Sequence, residues 1–423
     1  MSLGARRRRP PTPRFVANEL WRRAGAVPSF HIAPARTRNA TDLITGNLLG
    51  TYNSASPAWA VGPDGVLFLP AANAPVIEYD PATLQCLGAR TREVVTNLLL
   101  QSNTFNTTWT RNNVTITSNA TASVDGGING STLLVNSVGA ALAQGSQSFA
   151  AGSTLTVSIF AKKNASNFLR FELGNLISCW FDLNTGTTGT NQAGSGNVLF
   201  SAKSIEQWQN GWYRCSLTVT TTTITTIGVN VFPTNANGAS SSVNSSVFIF
   251  GAQLQTGSTL APYVPTTTTA ASSTADVWDI ISLAAGINNL KTLYVRGRTQ
   301  ASGTRGSASL NDNSSSNRLE LSTSGTDPKA TAVTSGSTVA DLNGGTIAAN
   351  STFRLAVRFD TDSYALSLNG GAVTTDTSGA RALVDRLFIG RDQAGNYMNG
   401  YLEEFAGWTK PCADGQLSAL AAS

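Results

Sequence analysis

The sequence predicts an all-β chain: two tandem antiparallel β-sandwiches of the jelly-roll type behind an extended N-terminal arm. Three observations predict it. Only 13% of the 423 residues are charged, well under the usual quarter or so. Gly, Ser, Thr and Asn are abundant; Thr and Ser suit pleated surfaces, and Asn and Gly suit tight turns. Apolar residues recur with a period of two, in short runs broken by turn clusters.

Residues 1–45 read as the arm. Pro10, Pro11 and Pro13 favour an extended, donor-poor backbone. A short helix is expected over Phe15–Arg23, with Leu20 and Trp21 as apolar anchors, before Pro28 and Pro34 interrupt again. Such a segment has too little apolar area to fold alone, so it is expected to order against a partner. Residues 46–94 read as a small β-rich connecting segment. Gly62-Pro63-Asp64-Gly65 marks a turn. The runs Val66–Leu69 and Val76–Asp80 mark strands.

Residues 95–267 read as the first sandwich. Leu155, Val157 and Ile159 alternate with Thr154, Thr156 and Ser158, and Leu169, Phe171 and Leu173 with Arg170 and Glu172. Val247–Phe250 is apolar on both faces, as a central strand would be. Residues 268–274, a Thr/Ala/Ser run, read as a linker. The second sandwich is expected over 275–423. There Phe353, Leu355, Val357 and Phe359 alternate with Arg354, Ala356 and Arg358. Asn369-Gly370-Gly371 supplies a hairpin turn, and a helix near Asp414–Ala421 closes the chain.

Charge is uneven. Residues 1–38 carry +8, from nine arginines against Glu19, and the rest carries −3. The basic character therefore belongs to the arm. A Pro-rich polar stretch follows the four consecutive arginines, which argues against twin-arginine export. No apolar run is long enough to cross a bilayer, so membrane insertion is not expected. The four cysteines, Cys86, Cys179, Cys215 and Cys412, form no C-x-x-C pair, and His31 is the only histidine. A zinc site lacks a ligand set. A catalytic triad lacks a base, since His31 lies in the arm. The thiols are expected to be buried and free; a Cys179–Cys215 bridge is the alternative. The Asn-x-Ser/Thr sequons, Asn106 and Asn113 among them, follow from composition.

Two resemblances carry the functional reading. Asn97-Leu98-Leu99-Leu100-Gln101-Ser102-Asn103, then Asn210–Cys215, then Phe250–Leu254 and Ala261–Pro265, stand in an order that resembles a β-sandwich module of tailed-bacteriophage structural proteins. The leader Asn73–Pro81 is similar to the one that precedes this module. Near the end, Phe388-Ile389-Gly390-Arg391-Asp392, Asn399–Phe405 and a closing helix resemble the concanavalin A-like (laminin G-like) lectin fold. The first resemblance implies a fibre or spike, on head or tail, located at the virion surface and made in the host cytoplasm. The second implies a carbohydrate-binding or glucanase fold.

Glucanases of that second fold carry alternating acids of the type E-x-D-x-x-E on one strand. No such string occurs here, and Glu403 and Glu404 are adjacent and point to opposite faces. No enzyme activity is therefore expected, and no phosphate-binding loop is present. Lectins of the fold often hold calcium, for which Asp312 and Asn313 are the candidates, with Asp392 and Asn396 as a second pair. No other cofactor is implied. Sugar binding needs an exposed aromatic to stack on a pyranose face and polar groups for its hydroxyls. Trp180 and Tyr397 are the candidate aromatics, with Arg391, Asp392 and Asn396 beside Tyr397. Trp208, Trp212 and Tyr213 also lie in the first module; Trp212 is expected to pack in the core.

Arg6, Arg7, Arg8, Arg9, Phe15, Leu20 and Trp21 are the candidate virion-anchoring residues. The body lacks a basic surface with interleaved aromatics, so a protein partner of the particle (portal, capsid, baseplate or tail) is expected over nucleic acid. Fibres and spikes are commonly homotrimers, in which multivalency raises avidity. Three functions stay open: a glycan-binding attachment fibre, a purely structural decoration protein, and a polysaccharide depolymerase.

Overall fold

The computed structural model describes residues 18–173, 177–193, 196–283, 285–299, 303–348 and 350–422. It is built from two antiparallel β-sandwiches, as the alternation predicts. The first stacks two six-stranded sheets. One runs Val198–Gln207, Trp212–Thr221, Thr154–Lys163, Ser246–Thr256, Gly130–Val135, Val114–Thr121. The other runs Thr187–Ala193, Ile177–Asp182, Phe168–Leu173, Thr225–Thr234, Ala141–Phe149, Thr110–Asn112. Leu155, Val157 and Ile159 point into the shared core with Leu169, Phe171, Cys215, Leu217 and Val219. The strand holding Val247–Phe250 is central in its sheet.

The second sandwich departs from a tandem arrangement. Its larger sheet runs Thr374–Asp376, Ser363–Leu368, Thr352–Asp360, Thr292–Thr299, Gly400–Trp408, Cys86–Thr91, Ile77–Tyr79, and Phe30–Ile32 also pairs with Gly400–Trp408. Its smaller sheet begins Thr51–Asn53, Val277–Ile280, Arg386–Ile389, Arg305–Asn311 and continues to Ser337–Asn343. Four strands before residue 92 are thus woven into a body otherwise formed after residue 271. The first sandwich is an insertion within the second. The chain leaves through Thr96–Asn97 and returns through Ala271–Ser272, and these two short strands pair antiparallel.

This corrects three expectations. The arm to residue 45 is not extended over its described part. Phe30 and Ile32 are fully buried in the second core, each contributing about 1.5–3 kcal/mol of apolar burial. The helix spans Asn18–Ala24, and Leu20 packs against Tyr294, Trp408, Leu417 and Leu420, with Trp21 partly buried beside them. Both residues therefore anchor the helix to this chain's own body. Arg6, Arg7, Arg8, Arg9 and Phe15 lie outside the described residues. Residues 46–94 are not a separate connector, because Thr51–Asn53, Ile77–Tyr79 and Cys86–Thr91 join the sheets of the second sandwich, while Ala60–Val61 and Leu67–Phe68 pair only with each other. Residues 268–274 are not a structureless linker, because Ala271–Ser272 is one half of the paired crossing.

His31 is also placed differently. It is fully buried, and its Nε2 lies 2.7 Å from Glu404 Oε1. Between Phe30 and Ile32 it points to the face opposite the core, as period two requires. The closing helix spans Asp414–Ala421, with Ala413 N–H donating to Gln416 Oε1 at 2.9 Å. Asn369 and Gly370 both take positive φ, the geometry of a tight hairpin turn. Gly88 has φ +115°, and a Cβ there would meet Leu402 O at 2.3 Å; only glycine allows that strand to lie against its neighbour. All four thiols are free, with Cys86 half-buried and the others buried.

Candidate functional site

A cavity of about 630 Å³ lies between the two sandwiches. Strand alternation builds its first wall. In Trp212–Thr221, Cys215, Leu217 and Val219 face the first core, so Arg214, Ser216 and Thr218 face out. Register places Glu206 directly across from Arg214 on one side and Phe160 directly across on the other. The Arg214 guanidinium lies 5.3 Å from the Phe160 ring centre. Ser216 and Thr218 are buried although they lie outside the first core, and both line the cavity.

The opposite wall comes from elements joined to the second sandwich. Glu78 and Tyr79 lie on Ile77–Tyr79, Tyr401 on Gly400–Trp408, and Trp59 on the loop before Ala60–Val61. Tyr263, from the return segment of the insertion, packs edge-on against Trp59 at 5.9 Å. Its hydroxyl is held by Ser102 Oγ at 2.6 Å and Asn103 Oδ1 at 2.5 Å. Arg92 lies over the Tyr401 ring at 5.3 Å and donates to Asn399 O at 2.7 Å.

Two charged groups here are deeply buried with bonding capacity to spare. Glu78 is 5% exposed. Its Oε1 accepts from Val61 N–H at 3.3 Å, and its Oε2 has no partner. Arg214 is also 5% exposed. One terminal nitrogen donates to Ser158 Oγ at 3.2 Å, and its Nε–H is unpaired. Dehydration pulls the Arg214 pKa down to about 10, against the opposing pull of Glu206. Glu206 is reached by water but walled in by the cleft. That loss of hydration raises its pKa, while Arg214 and the Trp208 indole N–H, 3.1 Å away, pull it down. Buried polar groups left unbonded are costly, so each of these atoms calls for a polar partner, a buried water included. The half-buried Trp59 and the buried Trp208, Tyr263 and Tyr401 supply apolar faces around them.

The residues singled out from sequence lie elsewhere. Trp180 is 2% exposed, its indole N–H donates to Ala239 O at 2.9 Å, and Arg170 covers its ring at 5.2 Å. It has no free face for a sugar. Tyr397 is half-buried and bridges through its backbone to Gly306 and Arg391. Asp392 is buried and closes its own loop, accepting from Asn396 N at 2.8 Å and Asn396 Nδ2 at 2.7 Å. Arg391 is held by both oxygens of Asp279, at 2.8 and 2.9 Å, and stacks over Phe388. These four form a structural corner of the second sandwich and line no part of the cleft. Asp312 spends its oxygens on Ser314 and Asn317, and those hydrogen bonds lower its pKa; Asn313 sits in the same turn at φ 69°. Among the described residues no group of three or more His, Cys, Asp or Glu side chains is placed to hold a metal. Trp212 packs in the interior as expected, 1% exposed.

No protein-family model and no curated protein matches the chain. Several solved structures are similar at low identity. A carbohydrate-binding module (CBM40) of the Ruminococcus gnavus IT-sialidase, bound to α2,3-sialyllactose, is 15% identical, with a TM-score of 0.28 over 31% of this chain and 82% of that one. The native heptameric SAP-like pentraxin of Limulus polyphemus is 12% identical, with a TM-score of 0.23 over 32% of this chain and 70% of that one. Domains LG4-5 of the mouse laminin α1 chain are 9% identical, with a TM-score of 0.23 over 77% of this chain and 89% of that one. Likenesses this loose carry no inference about ligand.

Proposed function

We propose that this chain is a non-catalytic glycan-binding protein that serves as a bacteriophage surface fibre or spike. The cleft between the sandwiches, with aromatic walls and a buried carboxylate and guanidinium that keep open bonding capacity, carries the binding part of this reading. Saccharide sites combine flat apolar faces with a few oriented polar groups in this way. The virion part rests on the phage-module phrases and on the arginines of residues 1–17. With residues 18–45 packed into the body, the anchor to portal, capsid, baseplate or tail reduces to that shorter segment. Trimeric assembly would multiply a weak sugar affinity.

Titration calorimetry with polysaccharides from candidate bacterial surfaces tests the binding. Micromolar-to-millimolar binding without new reducing ends is the expected outcome. Absence of binding across such a panel would leave the structural decoration role. Loss of particle incorporation on removing residues 1–17 is expected of the anchor, and normal incorporation would refute it.

One observation favours a second reading. Glu78 and Glu206 both line the cleft, and glycoside hydrolysis uses two carboxyl groups. Reducing ends that appear with wild type and vanish in Glu206→Gln would make the protein a depolymerase. Binding is preferred because the chain carries no alternating-acid string of the glucanase type, although the raised pKa of Glu206 would suit a general acid.

A further inference from the structure

The cleft continues beyond the cavity already described. A second cavity of about 310 Å³ lies along the same seam, and Arg92, Ser258, Thr259 and Ala261 line both. The two chambers therefore adjoin at Arg92 and at the turn that follows the strand Ser246–Thr256. Their walls differ. The first carries the aromatic faces of Trp59, Trp208, Tyr263 and Tyr401. Among the described residues the second has no aromatic side chain; Thr96, Thr154, Gln255 and Thr256 line it with hydroxyls and an amide, beside Glu93 and Arg305. The shared turn is held from beneath. Gln255 Nε2 donates to Thr259 O at 2.9 Å, and Gly257 N–H donates to Thr154 O at 2.8 Å. Ser258 is left exposed and Thr259 half-buried at the junction. Charges of both signs line each chamber, Arg214 with Glu206 in the first and Arg305 with Glu93 in the second. Charge therefore does not choose the sugar, and the length of the groove becomes the selective feature.

We propose that the two chambers form one groove that holds a linear oligosaccharide, with one ring stacked in the aromatic chamber and the next units hydrogen-bonded in the polar one. The proposal rests on the glycan-binding reading above and adds the form of the ligand: a run of polymer and not a single sugar. Aromatic faces hold the flat side of a ring, and hydroxyls and amides meet its edge groups. A lone ring reaches one chamber. Only a chain of rings reaches both, so each unit added up to the length of the groove adds contacts.

The test is calorimetry of the full chain with ladders of one to six sugar units cut from cellulose, mannan and alginate. In at least one ladder, affinity is expected to rise about tenfold or more from the shortest probes to the tetrasaccharide, as a few added hydrogen bonds give, and then to level off. Thr256 is exposed and lines only the second chamber. Thr256→Trp fills that chamber, so it is expected to bring the longer probes down about tenfold, to the level of the short ones, and to leave the short ones unchanged. Equal affinity for one unit and six, or the same ladder in Thr256→Trp as in wild type, would overturn the groove and leave glycan binding standing. Silence from every ladder would overturn glycan binding and the groove with it. If Thr256→Trp does not fold, saturation-transfer NMR of the hexasaccharide on wild type decides the matter. Transfer to several consecutive rings is expected, and transfer to one terminal ring would overturn the proposal.

Discussion

The two sandwiches differ in how their sequence is arranged. The first is one continuous stretch: its two sheets run from Thr110 to Thr256 with no strand from elsewhere. The second is assembled from both ends of the chain, with Phe30–Ile32, Thr51–Asn53 and Cys86–Thr91 paired to strands more than 200 residues away and Ile77–Tyr79 added at the edge beside Cys86–Thr91. Each crossing closes a long loop, and the closure entropy grows slowly with loop length. The inserted sandwich relieves part of that cost, because its folding brings Asn97 and Ala271 side by side. The continuous domain thus acts as a folded staple for the discontinuous one.

The largest effect comes from cutting the chain between them. Residues 96–272 expressed alone are expected to fold, with cooperative thermal unfolding and dispersed amide resonances. A chain that starts at residue 46 is expected to lose the second sandwich, since it lacks Phe30, Ile32 and the helix Asn18–Ala24. In the full chain Phe30→Ala is expected to cost about 3–5 kcal/mol. That loss should appear in denaturant unfolding of the second sandwich and leave the first unchanged. Unfolding of both together would show that the two form one cooperative unit, and the contrast would be broken.

The next effect sits at the seam. Arg90 is fully buried; it donates to Asp276 Oδ2 at 3.0 Å and to the carbonyls of Ala58 and Trp59 at 3.2 and 3.1 Å. It ties the strand that precedes the insertion to the segment that follows it. Removing one member of a buried ion pair leaves the other charge stranded, so Arg90→Ala is expected to cost about 3–5 kcal/mol. Arg170 is the comparison in the first sandwich. It is partly exposed and its partner Glu172 lies two residues away on the same strand. Arg170→Ala is expected to cost less than Arg90→Ala, because Glu172 keeps Ser178 Oγ and Asn230 Nδ2 as donors. Equal losses in denaturant titrations would remove the special standing of the seam.

These contrasts show what was legible in the sequence. Period two in Leu155–Ile159 and Phe353–Phe359 marks strands because alternation is a local property. The hairpin at Asn369-Gly370 and the helix Asp414–Ala421 are local too. Pairing of Phe30–Ile32 with a strand near residue 405 leaves no local trace. The prolines and arginines around it read instead as an unfolded arm. The site was missed for the same reason. Arg214 and Glu206 occupy outward, polar positions, which in one strand signify solvent; only the second sandwich turns that face into a cleft wall. Trp180, with the same apparent exposure from sequence, is covered by Arg170 and Ala239.

A smaller effect compares local opening. Cys179 and Cys215 lie in the first core, and burial pushes the Cys179 thiol up to about 11 and Cys215 well above its usual value. Cys412 packs at the corner closed by the helix Asn18–Ala24, its Sγ 3.9 Å from Ala24 O. On one side that corner is closed by a helix of only seven residues, and such short elements open with little free energy. Alkylation followed by mass spectrometry is expected to label half-buried Cys86 first, then Cys412, and Cys179 and Cys215 only on global unfolding. Labelling of Cys215 before Cys412 would reverse the order of stability assigned to the two sandwiches.

The smallest effect is a slope with pH. Glu206 stands where the two sandwiches meet, and its carboxyl pKa is raised because the cleft strips part of its hydration. Between the ordinary glutamate range and that raised value, the folded state keeps a proton that the unfolded chain has released. Folding stability therefore falls as pH rises through this window. Glu206→Gln has no such proton, so its stability is expected to stay level across the same window, and the curves for wild type and variant should converge below it. Urea midpoints measured at half-unit steps of pH read this directly. The isolated first sandwich supplies the control. Without the second sandwich Glu206 faces open water, its pKa returns to the ordinary range, and the slope should disappear. A slope that survives in the excised domain would mean that the cleft does not dehydrate Glu206, and that the two sandwiches stand apart at the site.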